Sequence, residues 1–131
     1  MSESTVNYVR EFHQAFKVEI SETPNISNKA LNMLRLRLIQ EELDELKDAL
    51  FQQDEVAVLD ALTDIQYVLD GTYLSLGFAK YKNAAVAEVH RSNMSKLGSD
   101  GKPIHRDDGK VLKSKDYTPP NLRKILEEKE G

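Results

Sequence analysis

Leu38-Ile39-Gln40-Glu41-Glu42-Leu43-Asp44-Glu45-Leu46-Lys47-Asp48-Ala49-Leu50-Phe51 contains no glycine or proline, and its apolar residues recur at helical spacing. The pattern predicts a helix from about Lys29 to Phe51, with Ser27 or Asn28 as its N-cap. One apolar stripe runs through Leu36, Ile39, Leu43, Leu46 and Leu50. A second runs through Leu31, Leu34 and Leu38, but its continuation is Glu41 and Glu45, with Glu42 between the two stripes. At ~100° per residue, Arg37, Gln40, Asp44, Lys47 and Asp48 fall on the outer arc, and these three glutamates do not. Carboxylates turned away from water are costly unless something pairs with them.

Downstream, Gln52-Gln53-Asp54 breaks the pattern and Asp54 is an N-cap for a helix from about Glu55 to Leu76, closed by Gly77. On it Asp60 and Asp64 are i, i+4 and share a face with small residues, Ala57, Ala61, Gly71 and Ser75. The bulky stripe, Val58, Leu62, Ile65, Leu69 and Leu76, lies on another arc, and Asp70 reads as solvated. A glycine inside a helix costs roughly 1 kcal/mol, so Gly71 marks either a close approach by a helix or a ligand, or a simple packing position. The short turn makes the two helices antiparallel. Its centre lies between Gln52 and Gln53, which sets Glu45 level with Asp60 and Glu41 level with Asp64. Both pairs then sit roughly 11–17 Å from the turn at about 1.5 Å per residue. Converging carboxylates repel one another, and the second helix has no Lys or Arg to answer them. A hard divalent cation relieves the repulsion through oxygen ligands: Mg²⁺ first, Mn²⁺ as the alternative. The cluster holds no His, which argues against Zn²⁺.

The rest of the chain frames this hairpin. Val6, Val9, Phe12 and Phe16 predict an amphipathic helix over about Thr5–Ile20, and Ser21–Asn28 reads as a loop. A fourth helix is expected over about Ala79–Lys96, ending near Gly98. Asp107-Asp108-Gly109 reads as the turn of a short β-hairpin, and Pro119-Pro120 opens a charged terminal helix or tail. The expected fold is all-α, a bundle of four main helices with a short C-terminal hairpin and tail. With 131 residues the chain is expected to be one domain, 1–131, with a core of about 28–97 and an extension of 98–131.

The net charge is −4, but it is unevenly distributed. Glu41–Asp64 holds nine acids and one base, and Lys80–Lys124 holds eleven bases and five acids. The absence of Cys excludes disulfides, thiolate metal sites and a Cys nucleophile. No apolar run approaches ~18 residues, and the first residues lack the order of a signal peptide. The expectation is a cytoplasmic protein without membrane or nucleic-acid partners. The two apolar arcs before Phe51 exceed what one helix of a small monomer needs, which points to a homo-oligomer.

Glu41-Glu42-Leu43-Asp44-Glu45 followed by Asp60-Ala61-Leu62-Thr63-Asp64 resembles the EExxE…(E/D)xxD pattern of the all-α nucleoside triphosphate pyrophosphohydrolases, the MazG-like enzymes. The string Glu88-Val-His-Arg-Ser-Asn-Met-Ser-Lys96, with Asp100–Lys113 and Tyr117–Leu122, looks like a short, stand-alone subgroup related to phosphoribosyl-ATP pyrophosphohydrolase. The pattern departs at Ala61, where the family places Glu, with Asp60 substituting from the preceding turn. The resemblance implies Mg²⁺-dependent hydrolysis of a nucleoside triphosphate to a monophosphate and pyrophosphate, in a homodimer or homotetramer. The substrate expected is a non-canonical nucleotide or a deoxynucleotide such as dUTP, with phosphoribosyl-ATP as the alternative. Metal ligands would be Glu41, Glu42, Glu45, Asp60 and Asp64, and Glu41 or Glu42 would accept the proton of the attacking water. Asn93, Lys96 and Arg91 would bind substrate, with Lys110 and Lys113 reaching a neighbouring subunit's nucleotide. A non-catalytic helical interaction module is the rival reading, and it predicts that the carboxylates are dispensable.

Overall fold

The computed structural model describes residues 4–130. The elements are α1 (Thr5–Phe16), α2 (Lys29–Gln52), α3 (Glu55–Leu76), a 3₁₀ turn (Ala79–Tyr81), α4 (Lys82–Met94), β1 (Ile104–His105), β2 (Val111–Leu112) and α5 (Leu122–Glu130). The fold is all-α apart from one two-stranded ribbon. The chain forms two compact units, Met1–Lys80 and Tyr81–Gly131.

In the first unit, α2 and α3 are set by local chemistry. The Asn28 side chain accepts from Leu31 N at 3.1 Å, and Asp54 accepts from Ala57 N at 3.1 Å, so each helix starts on a side-chain cap. Gln53 takes a left-handed conformation (φ 56°), and the chain reverses within two residues. The helices therefore run antiparallel, and they make the most extensive packing of the chain. At the far end Gly77 (φ 86°) closes α3. A Cβ there would stand 1.9 Å from the Thr23 carbonyl oxygen, so only glycine fits. The α1–α2 connection is laced to that end by Ser21 N to Leu74 O (2.9 Å) and Asn25 N to Leu76 O (2.8 Å).

α1 packs on α3, and Val6, Val9 and Leu74 form the buried apolar centre, with Ile20 and Ala79 against it. α1 stops at Phe16, short of the expected Ile20. Lys17 turns left-handed (φ 57°) and Val18 N returns to His13 O at 2.9 Å. Phe12 and Phe16 are exposed rather than core, stacked on each other with centroids 4.4 Å apart. Asp70, expected in solvent, is fully buried. Because α1 covers that arc of α3, Asp70 accepts from Thr5 Oγ1 at 2.5 Å and from Gln66 Nε2 at 3.1 Å.

In the second unit, α4 begins at Lys82 after a 3₁₀ turn, three residues inside the expected start, and ends at Met94, two residues inside the expected end. The ribbon pairs Ile104 with Leu112 and His105 with Val111, around the Asp107-Asp108-Gly109 turn. Arg106 N donates to Lys110 O at 2.8 Å, and Gly109 carries φ 92°. Asp108 accepts from Lys110 N and pairs with the Arg106 guanidinium at 2.6 Å. α5 packs against α4. Among the described residues, no helix is long and apolar enough to cross a membrane.

Candidate active site

Glu42 and Glu45 from α2 and Asp64 from α3 each offer a carboxylate oxygen within 4.8 Å of the others. Asp64 thus meets Glu42 and Glu45, rather than the Glu41 that counting from the turn set beside it. Glu42 and Asp64 are half-buried and Glu45 is exposed. Asp60 is exposed at the edge, close enough for its charge to act on both Glu42 and Asp64, and Glu41 is exposed outside the group.

The electrostatics follow from this geometry. Burial pushes the Glu42 carboxyl up to about 7. A hydrogen bond with Glu45 and the charges of Glu45, Asp64 and Asp60 add to the effect. Burial also raises Asp64, with Asp60 and Glu45 reinforcing it. Glu42 Oε2 is buried and has no hydrogen-bond partner. A buried acceptor left unpaired costs roughly 1–3 kcal/mol, a cost that a bound cation would offset. An oxygen-only donor set of three carboxylates with one orphaned oxygen fits a hard divalent cation.

Two helical turns further from the α2–α3 connection, the same helices carry a second polar cluster, which the sequence reading did not single out. Arg35 is buried, donating to Val68 O at 2.8 Å and to Thr72 Oγ1 at 3.1 Å. The close approach expected at Gly71 is this guanidinium: a Cβ there would lie 2.5 Å from an Arg35 nitrogen and 2.9 Å from His13 Nε2. His13 is buried from α1, with Nδ1 3.1 Å from Glu19 O. Burial lowers its pKa, the Glu19 carbonyl opposes this, and Arg35 and Arg10 lower it further. His13 is therefore neutral at pH 7, with Nδ1–H donating to Glu19. A signal for this cluster existed: counted from the turn, Arg35 is level with Asp70, beside the helical glycine.

The other expected site residues lie in the second unit. Arg91 is engaged in the fold. It pairs with Glu88 at 2.8 Å and donates to Thr118 Oγ1 (2.6 Å) and Pro119 O (3.1 Å). The Arg91 hydrogen bond and the Asn121 backbone N–H hold the Glu88 carboxyl down to about 2. Lys113 Nζ lies over the Tyr117 ring, 4.8 Å from its centroid. Lys110 is exposed at the ribbon turn. Asn93 and Lys96 flank a pocket at the end of α4.

The sequence model of the phosphoribosyl-ATP pyrophosphohydrolase family matches residues 9–93. The chain belongs to that family. It is a pyrophosphohydrolase family, whose members are hydrolases acting on phosphoric anhydrides, within the MazG-like nucleoside triphosphate pyrophosphohydrolase superfamily. The family match takes in α2, α3 and all of α4 but Met94, and therefore the whole carboxylate cluster. Asn93 is its last residue, and Lys96 and the ribbon lie beyond it. No curated protein matches the chain.

Proposed function

We propose that this pyrophosphohydrolase cleaves a nucleoside triphosphate to the monophosphate and pyrophosphate, with Mg²⁺ (or Mn²⁺) at the α2–α3 carboxylates. The observation that carries the reading is Glu42 Oε2, buried without a partner among like charges. Glu42, Glu45 and Asp64 would hold the cation, with Asp60 at the edge. When bound, it offsets triphosphate charge and acidifies the attacking water. Glu41, exposed beside the cluster, is the group to accept that water's proton. Asn93 and Lys96 would bind substrate. Arg91 has its donors committed to Glu88, Thr118 and Pro119, and its role is to hold the C-terminal segment.

For the substrate we favour a non-canonical nucleotide or a deoxynucleotide such as dUTP, because residues 98–131 lie outside the family match. Phosphoribosyl-ATP is the second reading, favoured by the family's own name. Pyrophosphate release measured across deoxynucleotides, modified nucleotides and phosphoribosyl-ATP, with and without Mg²⁺, decides between them. No Mg²⁺-dependent release from any of them would favour the non-catalytic interaction module.

We also propose a cytoplasmic homodimer or homotetramer. Leu36, Leu43 and Leu50 on α2 recur every seven residues and stay exposed, as do Leu62 and Leu69 on α3. Apolar surface of this extent on a small chain fits burial by a second copy. Sedimentation showing only monomer over a concentration series would remove this part of the reading.

A further inference from the structure

α1 meets α3 through more than its apolar centre. Val9 shares the core with Leu74, and Thr5 reaches Asp70. Phe12 meets Tyr67, with ring centroids 5.8 Å apart and planes at 83°. Phe16, one helical turn after Phe12, stacks on it. The three rings form a platform that stays open to water: Phe12 is 40% exposed, Tyr67 39% and Phe16 67%.

The platform adjoins the carboxylates. Tyr67 follows Asp64 by three residues and Asp60 by seven. At ~100° and ~1.5 Å per residue, the three side chains fall within about 60° of one another on α3, and Tyr67 stands roughly 4.5 Å beyond Asp64 along the axis. All of these residues, with Glu42, Glu45, Phe12 and Phe16, belong to the first unit. The leucines of α3 that call for a second copy lie elsewhere on the helix: Leu62 and Leu69 project roughly 140–180° away from Asp60, Asp64 and Tyr67. The exposed apolar surface of α3 thus has an aliphatic part turned away from its acids and an aromatic part in line with them. A nucleotide joins its base to its phosphates through a single sugar. Phosphates held at Glu42, Glu45 and Asp64 therefore leave the base about one helical turn away, within reach of Tyr67. Tyr67 and Phe12 are nearly perpendicular, so a flat base parallel to the Tyr67 ring stands edge-to-face with Phe12. Both arrangements are favoured between aromatic rings.

We propose that Tyr67, backed by Phe12 and Phe16, is the platform on which the base of the nucleoside triphosphate stacks. Every base has a π-face, so the platform supplies affinity without choosing among bases. α1 is then part of the substrate site as well as a cover for the core. The inference rests on the nucleotide reading above.

The test is calorimetric binding in Mg²⁺ of two kinds of probe. The α,β-imido analogues of dUTP and dATP carry a base and resist cleavage to pyrophosphate, whereas tripolyphosphate carries the charge without a base. The wild type is expected to bind both analogues at least tenfold more tightly than tripolyphosphate. Tyr67→Leu should weaken the analogues tenfold or more and tripolyphosphate less than twofold. Tyr67→Phe, which keeps the ring, should recover most of the loss. If Tyr67→Leu disturbs folding in a thermal melt, Phe12→Leu is the second variant, with the same split between probes. In turnover, the loss should fall on KM rather than kcat. No binding of the analogues, equal affinity for analogue and tripolyphosphate, or unchanged analogue affinity in a folded leucine variant would overturn the inference. A leucine variant that sediments at lower mass with its analogue affinity intact would overturn it in favour of a second copy on the platform. Failure of the hydrolase reading would show itself separately, as ring-dependent analogue binding with no pyrophosphate release from any triphosphate.

Discussion

Two polar clusters sit on the same pair of helices, and they differ in one respect. Arg35 is seven residues before Glu42, and Gly71 is seven after Asp64, so the clusters occupy the same α2–α3 pair two turns apart. Around Arg35, donors meet acceptors at Val68 and Thr72, and Gly71 makes room. Around Glu42, the charges that act on it, Glu45, Asp64 and Asp60, are all acids, and one buried oxygen has no partner. A satisfied buried polar group holds a fold in one arrangement, whereas an unsatisfied one is retained at a stability cost for a ligand. The first cluster has the character of architecture, and the second is where the proposed site would lie.

The contrast can be broken at either end. Glu42→Gln and Glu45→Gln should each lower kcat for Mg²⁺-dependent pyrophosphate release by roughly 10²–10⁴-fold. Their metal-free melting temperatures should hold or rise, since a repelling charge is gone. Near-normal turnover in both would show that the cluster is not the site. Arg35→Leu should do the reverse. It strands the Val68 carbonyl and removes the Thr72 bond, a loss of about 1–3 kcal/mol in denaturant titration, with kcat kept in the folded fraction.

Gly71→Ala sharpens the comparison with a smaller effect. Overpacking against the Arg35 guanidinium costs about 1–3 kcal/mol, and better helix propensity returns roughly 1. A net loss is expected, and an Arg35→Ala background should reduce it, leaving the part that comes from His13 Nε2 at 2.9 Å. The pH dependence of metal-free stability should be smaller still. Folded Glu42 holds its proton up to about 7 instead of 4.5. The stabilisation is therefore fully present below pH 4.5 and is lost as pH rises through 7. Melting temperatures should fall across that window, Mg²⁺ should reverse the fall above pH 7, and Glu42→Gln should flatten the profile.

The α2–α3 hairpin was legible because its signals are local: Asn28 and Asp54 caps, a glycine at position 77, and an apolar period of one helix. The ribbon was legible from Asp107-Asp108-Gly109 for the same reason. Asp70 was misread because the helix that buries it, α1, is remote in sequence, so α3 had a second covered face that its own pattern does not announce. The early end of α1 depends on Lys17 adopting a left-handed conformation, which its residue type does not signal. In the site, counting from the turn brought α2 and α3 carboxylates to one depth. It chose Glu41 over Glu42 as the partner of Asp64 because counting along an axis ignores which way neighbouring side chains project. Arg91 was read for its charge, and its commitment to the Thr118–Pro119 segment is a tertiary fact.

The strap over Gly77 has a kinetic consequence. Ser21 and Leu74 are far apart in the chain, yet their backbone bond is part of what fastens α1. Closing so long a loop is slow compared with forming a hairpin from adjacent helices. The order of assembly is thus expected to be α2 with α3 first and α1 last. Pulse-labelled hydrogen exchange during refolding should protect amides around Glu42 and Asp64 before those around Val9. The carboxylates would then be brought together, and able to meet a cation, before the first unit has closed over its own core.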